Sequence, residues 1–273
     1  MKFRSETGGF VGQSGEGEEP APVYMEERKQ RILELLAERH KISVNALSEE
    51  LGVSTATIRT YLRDLEAGGL LTRTHGGAME KTRTGFEALT RDKERQNVDL
   101  KRQIAEKASA CVESGDVILL DTGTTCHALA RLLKDGRSLT VVTNDIIIAA
   151  ELEPAESVQV ILIGGIVRRG LHCTVGAQEK RLCDGLVVDK AFMGANGFSL
   201  EHGATTPDIH QAATKKRMMA MAQKVYLLCD HTKLDRPSFA VFAAIEDIDV
   251  FICDSEISND DRKALEERGM ELC

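Results

Sequence analysis

The stretch VILLDTGTTCHALA, residues 117–130, sets Asp121, Thr122, Gly123, Thr124 and Thr125 between an apolar run and a segment of helical spacing. A glycine turn flanked by threonines at the start of a helix offers free backbone N–H groups, hydroxyl donors and the positive end of the helix dipole. That combination suits a small anion such as phosphate. The plain alternative is a capped helix with no ligand. The loop is not a Walker loop, because the G-x-x-x-x-G-K-[ST] spacing and its lysine are missing.

A second constellation lies in KISVNALSEELGVSTATIRTYLRDLEAGGLL, residues 41–71. Val44, Leu47 and Leu51 line one face of a short helix, Gly52 makes a turn, and Ser54 caps a second helix. Stepped at about 100° per residue, Ile58, Tyr61, Leu62 and Leu65 of that second helix cluster on one side. The opposite side carries Ala56, Arg59, Thr60 and Arg63. Small, hydroxyl and guanidinium side chains are what a major-groove recognition helix needs: arginine for guanine or phosphate, threonine and alanine for thymine methyls. The alternative is an ordinary solvated helical hairpin, but such faces are rich in Glu and Lys, and here Asp64 is the one acid. After Gly69, LLTRTHGGAM has the pattern of a two-stranded wing that would bring Arg73 and His75 near phosphates. The DNA-contacting set expected is therefore Ser54, Ala56, Thr57, Arg59, Thr60, Arg63, Arg73 and His75.

Positioning both sets takes two domains, which 273 residues with 42% hydrophobic content allow. Residues 1–24, rich in Gly and Glu, read as a disordered tail with no expected function. Residues 25–80 form the helical reader, 81–94 a charged linker, and 95–273 a second domain. In that domain, VILLD, LTVVT, VQVILI, KAFMG, VYLLCD and VFICD alternate with helical stretches. Continuous apolar strands alternating with helices indicate an α/β domain with a mostly parallel sheet covered on both faces.

This architecture disposes of another meaning of Asp-Thr-Gly, the aspartic protease loop. Those enzymes are all-β and use two carboxylates sharing one proton, whereas here a helix follows Gly123 and no second copy exists. That helix places Cys126, Leu129, Ala130, Leu132 and Leu133 on an apolar face. The net charge of −8 excludes a generally basic coat but not a locally basic reading face. Seven scattered cysteines without a C-x-x-C pair read, for the most part, as small buried residues. His172, Cys173, His202 and His210 match no compact ligand spacing, so no metal is expected. Neither a bilayer-length apolar run nor a signal-peptide stretch stands in the sequence, so no membrane partner and a cytoplasmic location are expected.

VSTATIRTYLRDLEAGGLLTRTHGGA resembles the signature of the DeoR family of bacterial transcriptional regulators. LDTGTT, VVTND, LIGG, GANG, ATTPD, Lys215-Lys216 and DHTK (230–233) follow in the family's order, so the resemblance runs over roughly 26–273. It implies a winged helix-turn-helix domain joined to a sensor domain resembling sugar-phosphate isomerases. It also implies repression of a sugar or polyol operon, relieved by a phosphorylated intermediate. The partners implied are a double-stranded DNA operator, a sugar phosphate and other copies of the chain, as a homodimer or homotetramer; no cofactor is implied. Carried over residue by residue, the phosphate loop is Asp121 to Thr125. The sugar-facing set is Thr143, Asn144, Gly164, Gly165, Gly194, Asn196, Lys215, Asp230 and Lys233.

Two departures stand out. The family's recognition helix usually reads Ile-Arg-Arg-Asp-Leu, whereas Thr60-Tyr61 stands here between Arg59 and Leu62, which removes a cation from the DNA face. Gln211 replaces a common Glu after TPD, and an amide neither pairs with a cation as a charge nor acts as a base. Viewed alone, Lys215 and Lys233 are surface lysines. In a pocket, an ammonium would answer phosphate as a point charge and Asp230 would accept from sugar hydroxyls. The competing class is an isomerase-like enzyme on the same scaffold. Enediol chemistry needs a carboxylate base, and this chain reads Gly194-Ala195-Asn196-Gly197 where acids would stand. A pure interaction module would explain neither the Gly/Thr loop nor the recognition helix. The linker and the helix starting near Asn97 are the expected transmission elements.

Overall fold

The computed structural model describes residues 25–39, 41–68, 70–74, 76–80, 84–85, 87–176, 183 and 185–273. The proposed tail, 1–24, and His75 lie outside the described residues. The chain divides into two units, Met1–Lys81 and Thr82–Cys273. Among the described residues no helix is long and apolar enough to cross a membrane.

In the first unit, apolar residues at helical spacing become three helices: α1 (Met25–Arg39), α2 (Val44–Leu51) and α3 (Thr55–Ala67). Strands β1 (Lys41–Ser43), β2 (Leu71–Thr74) and β3 (Gly77–Glu80) form an antiparallel sheet in the order β1-β3-β2. Ile32, Leu35 and Leu36 of α1, Leu47 of α2 and Ile58, Leu62 and Leu65 of α3 close one core with Leu71 and Ala78 of the wing. Each such side chain contributes about 1.5–3 kcal/mol by leaving water. Tyr61, the aromatic at the family's acidic position, is buried in this core.

The second unit is built on a seven-stranded sheet, and each of the six apolar runs becomes one of its strands: β4 (Val117–Leu120), β5 (Leu139–Thr143), β6 (Val158–Leu162), β9 (Val188–Gly194), β12 (Ala222–Leu228) and β14 (Val250–Ile252). With β15 (Glu271–Leu272) the order is β15-β14-β12-β9-β4-β5-β6, and every pairing is parallel. Helices α5 (Val98–Ala110), α6 (Thr124–Leu133) and α7 (Ile146–Leu152) cover one face around Ile118, Leu120, Val141 and Phe192. Helices α8 (Ile209–Met219) and α9 (Asn259–Glu267) cover the other around Leu119, Val142, Met193 and Leu227. Strand order reverses between β4 and β9, so their C-terminal ends form the switch point at which open α/β sheets bind ligands.

Several elements differ from expectation. Leu132 is exposed, because at 100° per residue it falls off the edge of the stripe made by Cys126, Leu129, Ala130 and Leu133. The proposed linker 81–94 is folded against the second unit in its later half. A short helix α4 (Thr90–Glu94) forms there, the Thr90 N–H donates to Gly170 O at 3.0 Å, and Phe239 N–H donates to Thr84 O at 3.0 Å. Its sequence pattern is weak because polar bonds and ion pairs hold it, rather than an apolar face. Two antiparallel additions carry no clear sequence signal. One is the arm β7 (Ile166–Arg168) with β8 (Cys173–Val175); the other is the sheet of β10 (Gly197–Ser199), β11 (Gly203–Thr206) and β13 (Ala240–Ala243). Their three- and four-residue strands are too short for alternation to show.

Candidate functional site

Ser54 caps α3, its Oγ accepting from Thr57 N at 3.2 Å and lying 2.9 Å from Thr57 Oγ1. The helix then turns Ile58, Tyr61, Leu62 and Leu65 inward and leaves Ala56, Arg59, Thr60 and Arg63 exposed. Thr60 Oγ1 donates back to Ala56 O at 3.2 Å. Asp64 is tied to Lys29 of α1 at 3.1 Å, so the helix's one acid near this face is already matched. Arg73, on β2, is bound at its N–H by Glu66 Oε1 (2.9 Å) and its guanidinium lies 3.6 Å from Glu66 Oε2. Among the described residues Arg59 and Arg63 take part in no ion pair, which leaves two guanidinium groups open on one helix face.

At the switch point, β4 ends and Asp121 turns inward, fully buried. Its Oδ2 accepts from Gly194 N at the end of β9 (2.9 Å) and from the Lys215 ammonium. Lys215 itself is 2% exposed, also donates to Gly194 O (2.9 Å) and lies 5.0 Å above the Phe242 ring. Helix α8 turns Lys215 in and Lys216 out. Asp121 Oδ1 and Asn144 Oδ1 are buried with no hydrogen-bond partner. An unmatched buried acceptor costs about 1–3 kcal/mol, so both call for donors. Next to them α6 begins at Gly123, whose φ of 124° favours glycine and which brings no side chain to cap the first turn. Thr122 Oγ1 donates to Asp145 Oδ2 (2.6 Å), while Asp145 Oδ1 caps α7 through Ile147 N and Ile148 N.

The rest of the wall carries further cations. Lys233 donates to Ala195 O (3.0 Å) and stands 3.5 Å from the buried Asp230, whose charge raises the lysine above its ordinary pKa although burial opposes it. Lys101, nearly buried, donates to the carbonyls of Lys93 and Gln96, and burial brings its pKa down to about 8. Arg168 of β7 reaches Gln211 Oε1 (2.6 Å) and Glu87 Oε2 (3.0 Å) and lies 3.8 Å from Asp208. Thr206 Oγ1 bridges Gln211 and Asn196, each at 3.1 Å. Five cations (Lys93, Lys101, Arg168, Lys215, Lys233) thus face five carboxylates (Glu87, Asp121, Asp145, Asp208, Asp230), so charge in the cluster is balanced among the described residues.

Asp121, Gly194, Asn196, Lys215, Asp230 and Lys233 are brought to one sheet edge. Thr143 and Asn144 join them at the end of β5, where Thr143 Oγ1 accepts from Asp145 N and Asn144 Nδ2 donates to Thr174 O. Gly164 and Gly165 instead lie in the exposed turn between β6 and β7, and among the described residues no hydrogen bond ties them to the cluster. Sequence reasoning missed Glu87, Lys93, Lys101, Arg168 and Asp145. Asp145 carried a signal, an Asp directly before IIIAAEL in the position of a helix cap. The others look like any of the chain's 35 basic and 43 acidic residues until the fold gathers them.

A winged helix-turn-helix unit followed by an α/β unit with a buried polar cluster at its switch point defines a DNA-binding transcriptional regulator with a sensor domain. Residues 28–84 match the DeoR-like helix-turn-helix domain and residues 96–255 the DeoR C-terminal sensor domain. The chain is 40% identical over 244 residues to the HTH-type transcriptional regulator GlpR of Haloferax volcanii, covering 89% of this chain and 95% of that one. It is 34% identical over 248 residues to the regulator GolR of Listeria innocua (89% and 96%). To a putative aga operon transcriptional repressor of Escherichia coli O157:H7 it is 32% identical over 248 residues (90% and 92%). Among solved structures, ribose 5-phosphate isomerase A of Methanocaldococcus jannaschii is similar at a TM-score of 0.38 and 21% identity, over 51% of this chain and 55% of that one. The protein belongs to the DeoR family of transcriptional regulators.

Proposed function

We propose that the protein represses a sugar or polyol utilisation operon and leaves its operator when a phosphorylated sugar or polyol binds the second unit. One observation carries the ligand class: the buried, unmatched acceptors Asp121 Oδ1 and Asn144 Oδ1 stand beside an uncapped helix start. Acceptors without donors suit hydroxyl groups, and free N–H groups at a helix start suit an anion. A polyhydroxy phosphate supplies both. The Thr124 and Thr125 hydroxyls and the backbone N–H groups of Thr122 to Thr125 would hold the phosphate, the Thr122 hydroxyl being engaged by Asp145, and Lys215 and Lys233 would add charge. Asp121 and Asp230 would accept from hydroxyls.

The ligand would be bound and not converted. Asp121 is locked between Lys215 and the Gly194 N–H, and two residues beyond the end of β9 stands Asn196, an amide that takes up no proton in enediol chemistry. On DNA, a dimer or higher assembly would place one α3 per half-site in the major groove, with half-sites spaced by helical turns. Release requires the ligand to favour one arrangement, and a coupling of about 1–3 kcal/mol is usual.

The test is a thermal-shift panel of phosphorylated sugars and polyols, repeated with operator release as the readout. A hit that stabilises the protein and frees DNA is expected, with Thr124→Val losing the response while still binding operator. Full sensitivity in Thr124→Val moves the phosphate elsewhere, and turnover of any panel compound by the purified protein replaces the regulator reading with the isomerase-like one.

A further inference from the structure

Glu87 is an acid without a helix or strand of its own. It stands just before α4, yet its side chain is only 9% exposed. Oε1 lies 3.0 Å from Lys93 Nζ and 3.5 Å from Asn196 Nδ2, and Oε2 lies 3.0 Å from Arg168 Nη1. Two cations and an amide, from three separate elements, therefore converge on one carboxylate. Arg168 answers this carboxylate by charge, since Oε2 makes no hydrogen bond, and Leu89, two residues further along the segment, is 40% exposed. The cluster adjoins the one around Asp121. Asn196 stands two residues after Gly194, which is bonded to Asp121 and Lys215, and Thr206 joins Asn196 to Gln211, which holds Arg168.

Resting on the proposed sugar-phosphate reading, we infer that Arg168, Lys93 and Asn196 form a second anion position of the sensor, which Glu87 fills from within the chain, and that the effector takes it with a carboxylate of its own. The ligand class is then a phosphorylated sugar acid, its phosphate at the start of α6 and its carboxylate in place of Glu87. Like replaces like: a carboxylate arriving as Glu87 leaves keeps the charge at Arg168 and Lys93 matched, while the phosphate is met by the N–H groups at the start of α6. A neutral ligand end offers no charge to Lys93, whose one carboxylate partner is Glu87 among the described residues, and leaves Arg168 with the more distant Asp208 alone; a buried, poorly matched charge is costly. Exchange would also free the chain segment that follows directly on the first unit.

The experiment measures binding of 6-phosphogluconate and glucitol 6-phosphate, which differ in the carboxylate at one end, by calorimetry on the full chain. In the wild type the acid binds at least about tenfold more tightly, since a desolvated charge pair discriminates by that much or more. Glu87→Gln, which removes the internal competitor and keeps the shape, tightens the acid further, and Arg168→Gln removes its advantage. Equal affinity for the two probes in wild type and Glu87→Gln, including no binding of either, overturns the proposal. Hydrogen exchange on the wild type supplies an independent reading. The Asp92 and Lys93 amides, bonded to Leu89 O, exchange faster with the acid bound; slower or unchanged exchange also overturns it. A panel hit among sugar phosphates with no preference for the acid sinks this inference alone. Acid binding that survives Thr124→Val sinks the phosphate-loop assignment and leaves the second position standing.

Discussion

Asp121 and Lys215 are 0% and 2% exposed on the side chain, and each has lost its water. Such a pair stabilises little against an apolar replacement, but breaking it strands a charge, at a cost of about 3–5 kcal/mol. Lys215→Met is expected to lower the second unit's unfolding free energy by that amount in urea titration; a midpoint within error of the wild type would show that Asp121 finds another partner. His231 and Asp254 form a second coupled pair, Nδ1 to Oδ1 at 2.8 Å. Burial works against the Asp254 charge, but hydrogen bonds from His231 and backbone N–H groups hold its carboxyl down to about 2. The Asp254 hydrogen bond in turn raises His231 above its ordinary 6.5. The histidine's contribution is complete below 6.5 and fades as pH rises through its folded value; the carboxylate's is complete above 3.8 and fades as pH falls toward 2. The gap in thermal midpoint between wild type and His231→Gln should therefore be widest from about pH 4 to 6.5 and shrink toward pH 9. A gap that stays constant across that range rules the coupling out. Two buried thiols are quiet by the same physics of burial, which pushes Cys173 up to about 11 and Cys229 up to about 12.

At the scale of elements, the wing depends on one close approach. A Cβ on Gly77 would fall 2.2 Å from the carbonyl oxygen of Ile42, because β3 crosses β1 there with no room between the backbones. Gly77→Ala should cost about 1–3 kcal/mol of first-unit stability through displaced backbone, read as a lower melting midpoint and weaker operator binding; an unshifted midpoint would mean that β1 does not pair there. Helix α3 is legible in the sequence alone. Its inward stripe, its Ser54 cap and its outward arginines all follow from spacing, since a helix of thirteen residues displays more than three turns of the pattern. Arg63→Ala should reduce the slope of log affinity against log salt by about one. An unaltered slope would take Arg63 off the phosphates. The segment from Glu87 to Glu94 is illegible for the opposite reason: ion pairs between distant residues leave no period in the chain.

For the whole molecule, two independent cores mean two separable units. An excised 82–273 fragment should keep the thermal shift with a panel hit and lose operator binding; loss of the shift would show that the ligand needs both units. Net charge illustrates what summation hides. The chain carries −8 overall, and residues 25–81 hold nine Lys or Arg against nine Asp or Glu. Lys29, Arg31, Arg39 and Arg73 are engaged by neighbouring acids, while Arg59 and Arg63 are left open on the reading helix. Local pairing, not the total, sets the field that DNA would meet.

The order of elements, the six parallel strands, the recognition helix and the loop after β4 were determined by the linear pattern of residues, because burial along a helix or strand repeats with a short period and neighbours in sequence share it. Folding alone decided which charges meet. Asp121 finds Lys215 across 94 positions and Arg168 finds Glu87 from a different element, and polar pairs at such range are set by where sheet edges and short arms bring them together. The reader was therefore open to inspection in the chain itself, whereas the charged wall of the sensor existed only once the sheet had reversed its order between β4 and β9.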